Sequence, residues 1–397
     1  MVIGIVGNYG NNNQGDESIL EGILVLLEKT HNIERKNIIV FSNQPEYTSR
    51  KYGVQSTKLY FKKTNGFTTL FHTLVRNWKT IRKIDLLLVG GGGIFMDLYG
   101  REPFLYGMYG WIAKLAKTPV VLYGVGAGPI ITRTGKKLLK SLAHLSDLVT
   151  VRDPKSKELL ISIGVKSPVY VIGDPAFQVP IPENIEKPSV KGDKIRFGVT
   201  AVPFYNSTYW PEENTNMYVD YVEGMAANLD MMLSRYPNAV INFFSTKYPQ
   251  DMMVTKDIQK KMKYSDRTST CDQAMTHGEI VEFASQQDVV IGTRLHSLIL
   301  ALVSNTPVIS VSYHHKVYDL MEMMDCTEYT IEIGDLNQQP SFFYESYHHM
   351  AQNWEETQKR FEQISEHMKG MAYQGMELVK QQFHQNEQDL TYAREND

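Results

Sequence analysis

Cysteine is nearly absent from this 397-residue chain, and the two present, Cys271 and Cys326, lie far apart without metal-ligand spacing. That argues against a disulfide framework or a zinc site and fits a reducing, cytoplasmic compartment. An excess of one charge is missing too, since 41 basic side chains stand against 44 acidic ones for a formal charge of -3. Such a balance leaves no basic footprint for nucleic acid and no polybasic arm for a lipid surface, so an anionic ligand has to be held by a local site. No apolar run approaches the roughly 20 residues that cross a bilayer. The opening residues, Met1 to Gly7, carry neither a basic leader nor a cleavage signal and read as a first buried strand.

What is present is alternation. Short apolar runs at Val2 to Val6, Asn37 to Phe41, Leu86 to Val89, Val120 to Tyr123, Leu148 to Val151 and Val169 to Ile172 read as strands, with helical periodicity between them. Ile19, Leu20, Ile23, Leu24 and Leu27 give the first helix its core-facing stripe, and a second helix is predicted from Gly135 to Leu145. A polar, proline-rich stretch then interrupts the pattern. Alternation resumes with strands at Ile195 to Val199, Val240 to Phe244, Val289 to Ile291 and Val308 to Val311, and a helix over Tyr218 to Ser234. The chain therefore divides into an α/β domain over 1–178, a linker over 179–194, a second α/β domain over 195–346 and a helical segment over 347–397. In the last of these, Met350, Trp354, Thr357, Phe361, Ile364 and Met368 recur at helical spacing and predict one long amphipathic helix, packed on the domains or used for homo-oligomer formation.

Glycine and asparagine concentrate where chemistry is expected. The first strand empties into GNYGNNNQGDESIL, a loop from Gly7 to Gly15 that includes Asn8 and leads into a helix whose amide groups and dipole suit an anion. It matches neither the P-loop nor the full dinucleotide fingerprint. Asp16, entering that helix, reads as an N-cap, as a general base, or as both. Four glycines, Gly90 to Gly93, follow the strand at Leu86, and GVGAGP follows the next strand, so Gly91, Gly92 and their neighbours are expected to form tight turns lining one cleft wall. Arg152 closes the strand LVTVRD and reads either as a two-pronged donor to carboxylate or phosphate, or as a surface arginine paired with Asp153.

In the second half the informative segment is DVVIGTRLHSLILALVSNTPVISVSY. A buried strand ends at Gly292, and the turn that follows presents Arg294 and His296 two residues apart before a helix beginning near Ser297. A histidine there serves as a cap, as a satisfied core group, or, beside an arginine, as an acid or base. Phe204, Tyr205, Tyr209 and Trp210 read either as a stacking surface for sugar rings or as buried anchors of a loop.

The order GNYGNNNQGDESIL, VGGGGIFMD, VRDP, GTRLHSLILAL and PVISVSYHHK, spread over Val2 to Asp325, resembles the polysaccharide pyruvyl transferase family. The resemblance implies two Rossmann-like domains facing across a cleft, similar to GT-B glycosyltransferases, with phosphoenolpyruvate between them. It carries the family's RLHS segment onto Arg294, Leu295, His296 and Ser297, its first-domain arginine onto Arg152, its early aspartate onto Asp16 and its lysine onto Lys316. This chain has YHHK at that place, ending in Lys316, which gives His314 or His315 an altered role. The implied reaction forms a ketal of pyruvate on a sugar of a cell-wall polysaccharide or exopolysaccharide, or on a lipid-linked oligosaccharide precursor. His296 is expected as acid and Asp16 as base, with no cofactor and no metal, and with the enzyme soluble or peripherally attached to the inner face of the membrane. Arg152 and Arg294 face each other in that arrangement, and the loop Gly7 to Gly15, the turn Gly90 to Gly93 and Arg294 to Ser297 share one cleft. The rival function is a glycosyltransferase using a nucleotide sugar, and a non-enzymatic one is the binding of an anionic sugar.

Overall fold

A computed structural model of the chain describes residues 1–98, 100–182, 194–206, 210 and 213–395, with side chains described to 382. It divides into two compact units, Met1–Gln178 with Met368–Asp397, and Val179–His367. Most of the linker expected over 179–194 lies outside the described residues, as does Tyr209.

The first unit is built on strands β1 (Ile3–Val6), β2 (Ile38–Ser42), β3 (Gln55–Lys58), β4 (Leu86–Phe95), β5 (Val120–Ala127), β6 (Leu148–Val151) and β7 (Val169–Val171). Their order is β3-β2-β1-β4-β5-β6-β7, with every neighbouring pair parallel. Helices α1 (Gln14–His31), α2 (Pro45–Tyr52), α3 (Gly66–Ile81), α4 (Glu102–Ala116), α5 (Arg133–Leu145) and α6 (Pro154–Ser162) make the connections. The direction of strand addition reverses between β1 and β4, and in open α/β sheets that switch point is where ligands bind. Strand residues Val6, Val89, Leu122 and Val149 pack with Tyr109 and Ile112 of α4 and Leu139 and Leu142 of α5 in one core. Each fully buried aliphatic side chain contributes roughly 1.5–3 kcal/mol.

The second unit repeats the plan with β8 (Ile195–Val199), β9 (Ala239–Phe243), β10 (Thr268–Thr270), β11 (Val289–Gly292), β12 (Val308–Ser312) and β13 (Thr330–Glu332), in the order β10-β9-β8-β11-β12-β13. Its helices are α7 (Thr215–Arg235), α8 (Gln250–Lys261), α9 (His277–Ser285), α10 (Leu295–Val303), α11 (His315–Met323) and α12 (Phe342–Gln352). The chain closes with α13 (Trp354–Glu395).

Every strand expected from the apolar runs is present. Three more, β3, β10 and β13, are short edge or near-edge strands of sequence QSTK, TST and TIE, too polar and brief to register as apolar runs. The glycine turns need correction: Gly90 to Gly93 lie within β4, and the register against β5 shifts between Gly92 and Phe95. The single terminal helix also needs correction, because α12 ends at Gln352 and α13 starts at Trp354, so Met350 and Phe361 bury themselves from different helices. Within the first unit, α13 buries Met368, Ala372 and Met376, and Gly173 and Gly375 leave just enough room for it at the edge of the sheet.

Helix α3 is turned the opposite way from what its apolar residues dictate. Thr73 and Asn77 are its buried residues together with Ile81, while Phe67, Phe71, Leu74 and Val75 are exposed. The polar pair is held by the chain leading into it: Thr73 accepts from the Phe61 amide at 3.0 Å, and Asn77 donates to the carbonyls of Lys58 and Leu59 at 3.2 and 3.4 Å. Tyr109 of α4 completes the network, donating to Leu59 O at 2.5 Å and lying 2.7 Å from the Asn77 amide. Asn77→Ala leaves these carbonyls short of a donor and is expected to cost on the order of 1–3 kcal/mol in urea unfolding. Phe71→Ser, on the exposed face of the same helix, is expected to stay within about 0.5 kcal/mol of the parent.

Candidate functional site

In the first unit, the loop after β1 and the glycine segment of β4 meet at the switch point. The helix cap is Asn13, whose side chain accepts from the Gly15 amide at 3.1 Å, so Asp16 sits in the first turn and is not the N-cap. Asp16 is instead clamped: Asn8 Nδ2 and Asn13 Nδ2 both donate to its Oδ2, at 2.9 and 3.0 Å. Asn8 is itself oriented by Asn11, whose amide donates to it at 2.6 Å. The remaining oxygen, Oδ1, makes no hydrogen bond among the described residues and points at Gly92, where an added Cβ would stand 3.0 Å away. Burial pushes the Asp16 carboxyl up to about 6, against the opposing pull of the Asn8 hydrogen bond and of Arg152.

The glycines explain how a backbone comes so near an acid. Gly91 and Gly92 have φ of 75° and 84°, which disfavours a side chain, and a Cβ at Gly91 would strike Ile19 at 2.3 Å and the Tyr9 hydroxyl at 2.7 Å. Tyr9 fixes this contact by donating to Gly90 O at 2.7 Å. Gly15, in the first turn of α1, is buried beside them. Arg152 is also buried, so it is not a surface arginine paired with Asp153. Its Nη1 donates to Asp174 Oδ2 at 2.9 Å while Asp153 is 3.8 Å from Nε, and its guanidinium lies over Gly126, where a Cβ would come within 2.8 Å. Asp153 is chiefly the cap of α6, accepting from the Ser156 amide at 2.6 Å.

Beside Asp16 the first unit contains a cavity of about 810 Å³ between the start of α3 and the start of α4. Asn8, Asn11, Asn43 and Glu102 give it polar groups, and Phe67, Leu70, Phe104 and Leu105 give it an apolar side. Glu102 Oε1 lies 3.5 Å from Arg101, and its buried Oε2 accepts no hydrogen bond among the described residues. Sequence reasoning missed this cavity, because much of its wall comes from 59–73 and 100–108, which lie outside the motifs.

In the second unit Arg294 closes the turn after β11 as the residue before α10, and His296 and Leu295 occupy the first helical turn, partly exposed. The Arg294 fork is already engaged. Its Nε and Nη2 grip the fully buried carboxylate of Asp251 at 2.9 and 2.6 Å, leaving Nη1 without a hydrogen bond among the described residues. Burial works against the guanidinium charge, but Asp251 outweighs it and holds Arg294 firmly protonated. No motif marks Asp251 in the sequence. Ser297 turns inward, donating to Arg294 O at 2.6 Å and meeting Thr200 at 3.0 Å, so it ties β8 to the turn and is not open to a ligand.

Lys316 lies in the first turn of α11, whose cap is His314 through its Nδ1, 3.4 Å from the Lys316 amide. The His314 and His315 ring centroids lie 4.0 Å apart, with the rings tilted by 38°. Phe204 is buried and meets Tyr205, Trp210 and Tyr313 largely edge to face, which is the geometry of a loop anchor rather than an open stacking platform.

Two parallel sheets of this order, with an acid at the switch point of one and an arginine-histidine turn at that of the other, define a two-unit Rossmann-like protein of the GT-B-like class. Solved structures with this fold include UDP-GlcNAc 2-epimerase from Neisseria meningitidis bound to UDP-GlcNAc, at TM-score 0.64 and 12% identity over 97% of this chain and 99% of that one. The Anabaena protein HepE in complex with UDP-glucose matches at TM-score 0.62 and 12% identity over 96% and 100%. The chain belongs to the polysaccharide pyruvyl transferase family, whose sequence profile matches residues 13–315. A relative, amylovoran biosynthesis protein AmsJ of Erwinia amylovora, is 22% identical over 394 residues, 85% of this chain and 89% of that one.

The raised Asp16 carboxyl sets a stability test. Folded Asp16 holds its proton up to about pH 6 while the unfolded group releases it near 3.8, so the favourable contribution is complete below pH 3.8 and lost as pH rises through 6. Asp16→Asn keeps an oxygen to accept from Asn8 and Asn13 and removes the buried charge. Calorimetry is expected to show an unchanged or higher Tm, with a larger gain at pH 7 than at pH 5. Removing the acid of the other pair works the opposite way: Asp251→Ala strands Arg294 and is expected to cost about 3–5 kcal/mol in denaturant unfolding.

Proposed function

We propose that the chain transfers a pyruvyl group from phosphoenolpyruvate to two hydroxyls of one sugar, forming a ketal on an exopolysaccharide or cell-wall glycan or on its lipid-linked precursor. The observation that carries this reading is Asp16, a carboxylate with one clamped oxygen, one unbonded oxygen beside a large cavity, and a proton affinity near neutrality. Those are the properties of a general base that removes a hydroxyl proton. Amides of Asn8, Asn11 and Asn43 and the carboxylate of Glu102 suit adjacent sugar hydroxyls, which both donate and accept.

In this reading His296 delivers a proton to the methylene carbon of phosphoenolpyruvate, so that the neighbouring carbon becomes electrophilic. A sugar hydroxyl adds to that carbon and gives its proton to Asp16. The second hydroxyl then attacks the same carbon, gives its proton to the now neutral His296 and displaces inorganic phosphate, which closes the ketal in a step made effectively intramolecular by the fixed diol. Arg152, the Nη1 of Arg294 and Lys316 supply positive charge for the carboxylate and phosphate of the donor. Leu295 shapes the same turn. The co-substrate is the only small molecule the scheme needs, and the reaction belongs in the cytoplasm, where phosphoenolpyruvate is made.

Two measurements test this. Phosphoenolpyruvate at 100 times its dissociation constant adds about 2.7 kcal/mol of stability, so a thermal shift with it and none with UDP-sugars is expected. The reverse pattern replaces the reading with a nucleotide-sugar glycosyltransferase, the donor class of the UDP-bound fold relatives. In steady-state kinetics kcat/KM is expected to rise with pH through about 6 as Asp16 loses its proton, and Asp16→Asn abolishes that limb. His296→Ala is expected to lose on the order of 10² to 10⁴ in turnover with donor binding retained, and full turnover in either variant removes that residue from the scheme.

A further inference from the structure

The chain's near-zero net charge conceals a strong local segregation. Residues 59–84 contain six Lys or Arg and no Asp or Glu, and residues 103–146 contain another six and again no acid. These stretches form α3, α5 and all of α4 but its first residue, Glu102, and the three helices lie side by side in the first unit. The acids that border them are engaged elsewhere. Asp85 and Asp147 accept from the Val2 and Val120 amides, Asp97 holds Ile131 and Thr132, and Glu102 faces Arg101.

The same helices carry large apolar side chains outward. Phe67 is 80%, Phe71 57%, Trp111 50% and Leu115 66% exposed, with Leu74, Val75 and Phe104 also open. On α3 this exposure follows from Thr73 and Asn77 facing the core, so the apolar stripe is held outside by hydrogen bonds. Scattered exposed apolar residues need no explanation, but a contiguous group on two adjacent helices marks an interaction surface. Exposed Arg76, Lys79 and Lys114 stand among them on the same helices. Phe, Trp and Leu side chains bordered by Lys and Arg, without acids, are the composition of a helix face that settles into the headgroup region of an anionic bilayer. No helix among the described residues is long and apolar enough to cross one.

We propose that the α3–α4 face of the first unit docks on an anionic lipid bilayer. The expectation of no lipid-binding charge rested on the chain-wide balance, which averages this acid-free face against acids elsewhere. Phe67 and Phe104 belong both to the exposed face and to the cavity beside Asp16, so the cavity opens at the docking surface. Where the proposed function holds, a lipid-linked acceptor reaches Asp16 from the bilayer without leaving it; the docking itself does not depend on that reading.

The test is co-sedimentation of the full chain with vesicles of phosphatidylcholine alone or mixed with phosphatidylglycerol, at low and high salt. Binding is expected to the anionic vesicles, weakened by salt, since each basic residue near such a surface contributes about fivefold. The double variant Phe71→Glu, Leu74→Glu, which spares the cavity wall, is expected to lose tenfold or more of that affinity. Trp111→Glu with Leu115→Glu repeats the test on α4 should the first variant unfold, and Val219→Glu with Met253→Glu on the second unit is the control that keeps binding. Absence of binding to anionic vesicles, or binding that both pairs of glutamates leave unchanged, overturns the proposal, as does a dimer in sedimentation that the same substitutions dissolve without any vesicle binding. The phosphoenolpyruvate shift is read without vesicles, so either proposal can fail alone.

Discussion

A carboxylate placed where a charge is costly governs the architecture of the first unit's switch point. Asp16 is nearly out of solvent, and two side-chain amides and the charge of Arg152 offset the loss of water around it. Keeping it there dictates the surroundings: asparagines in the loop to donate, a cap at Asn13 that leaves Asp16 free of capping duty, and glycines in β4 because any side chain at Gly91 would collide with Ile19. A neutral residue would be cheaper to bury. The cost is consistent with a group whose proton must come and go, since the same burial that destabilises the charge brings its titration to about 6.

The basic residues obey a related constraint. An arginine aimed at a ligand has to be rigid before the ligand arrives, and both arginines singled out from the sequence are fixed by a buried acid of their own unit, Arg152 by Asp174 and Arg294 by Asp251. A two-pronged grip on Asp251 uses two sides of the Arg294 fork, so under the proposed function the donor's anionic groups would meet one remaining N–H and a positive field, not a second two-pronged clasp. In that proposal Arg294 acts as a preorganised charge more than as a chelating hand.

Legibility in the sequence followed the local character of each signal. Parallel, doubly covered strands announce themselves as apolar runs, and every one predicted is present; β3, β10 and β13, at or near the sheet edges and polar, do not. The glycine and asparagine motif marked a place where backbone does come close to the Asp16 carboxylate, because such close approach needs those residues wherever it occurs. It could not say that Asn13, and not Asp16, caps α1, since both spacings suit a cap. Nor could it show Asp174, Asp251 or Glu102. Their roles arise from partners 22 and 43 residues away, or from a cavity wall, and nothing in their neighbours' spacing marks that.

Helix α3 shows how such non-local pairing can override the strongest local signal. Periodicity alone would bury Phe67, Phe71, Leu74 and Val75, and fully burying side chains of that size is worth roughly 1.5–3 kcal/mol each. Turning the helix to do so would take Thr73 and Asn77 away from Phe61 N and from the carbonyls of Lys58 and Leu59, at about 1–3 kcal/mol for each group stranded. The two totals are of similar size, so intrinsic stability does not by itself require the apolar stripe outside. Its position becomes favourable when that stripe has somewhere else to be buried, and the predominantly basic surroundings on α3 and α4 set the chemistry of what buries it.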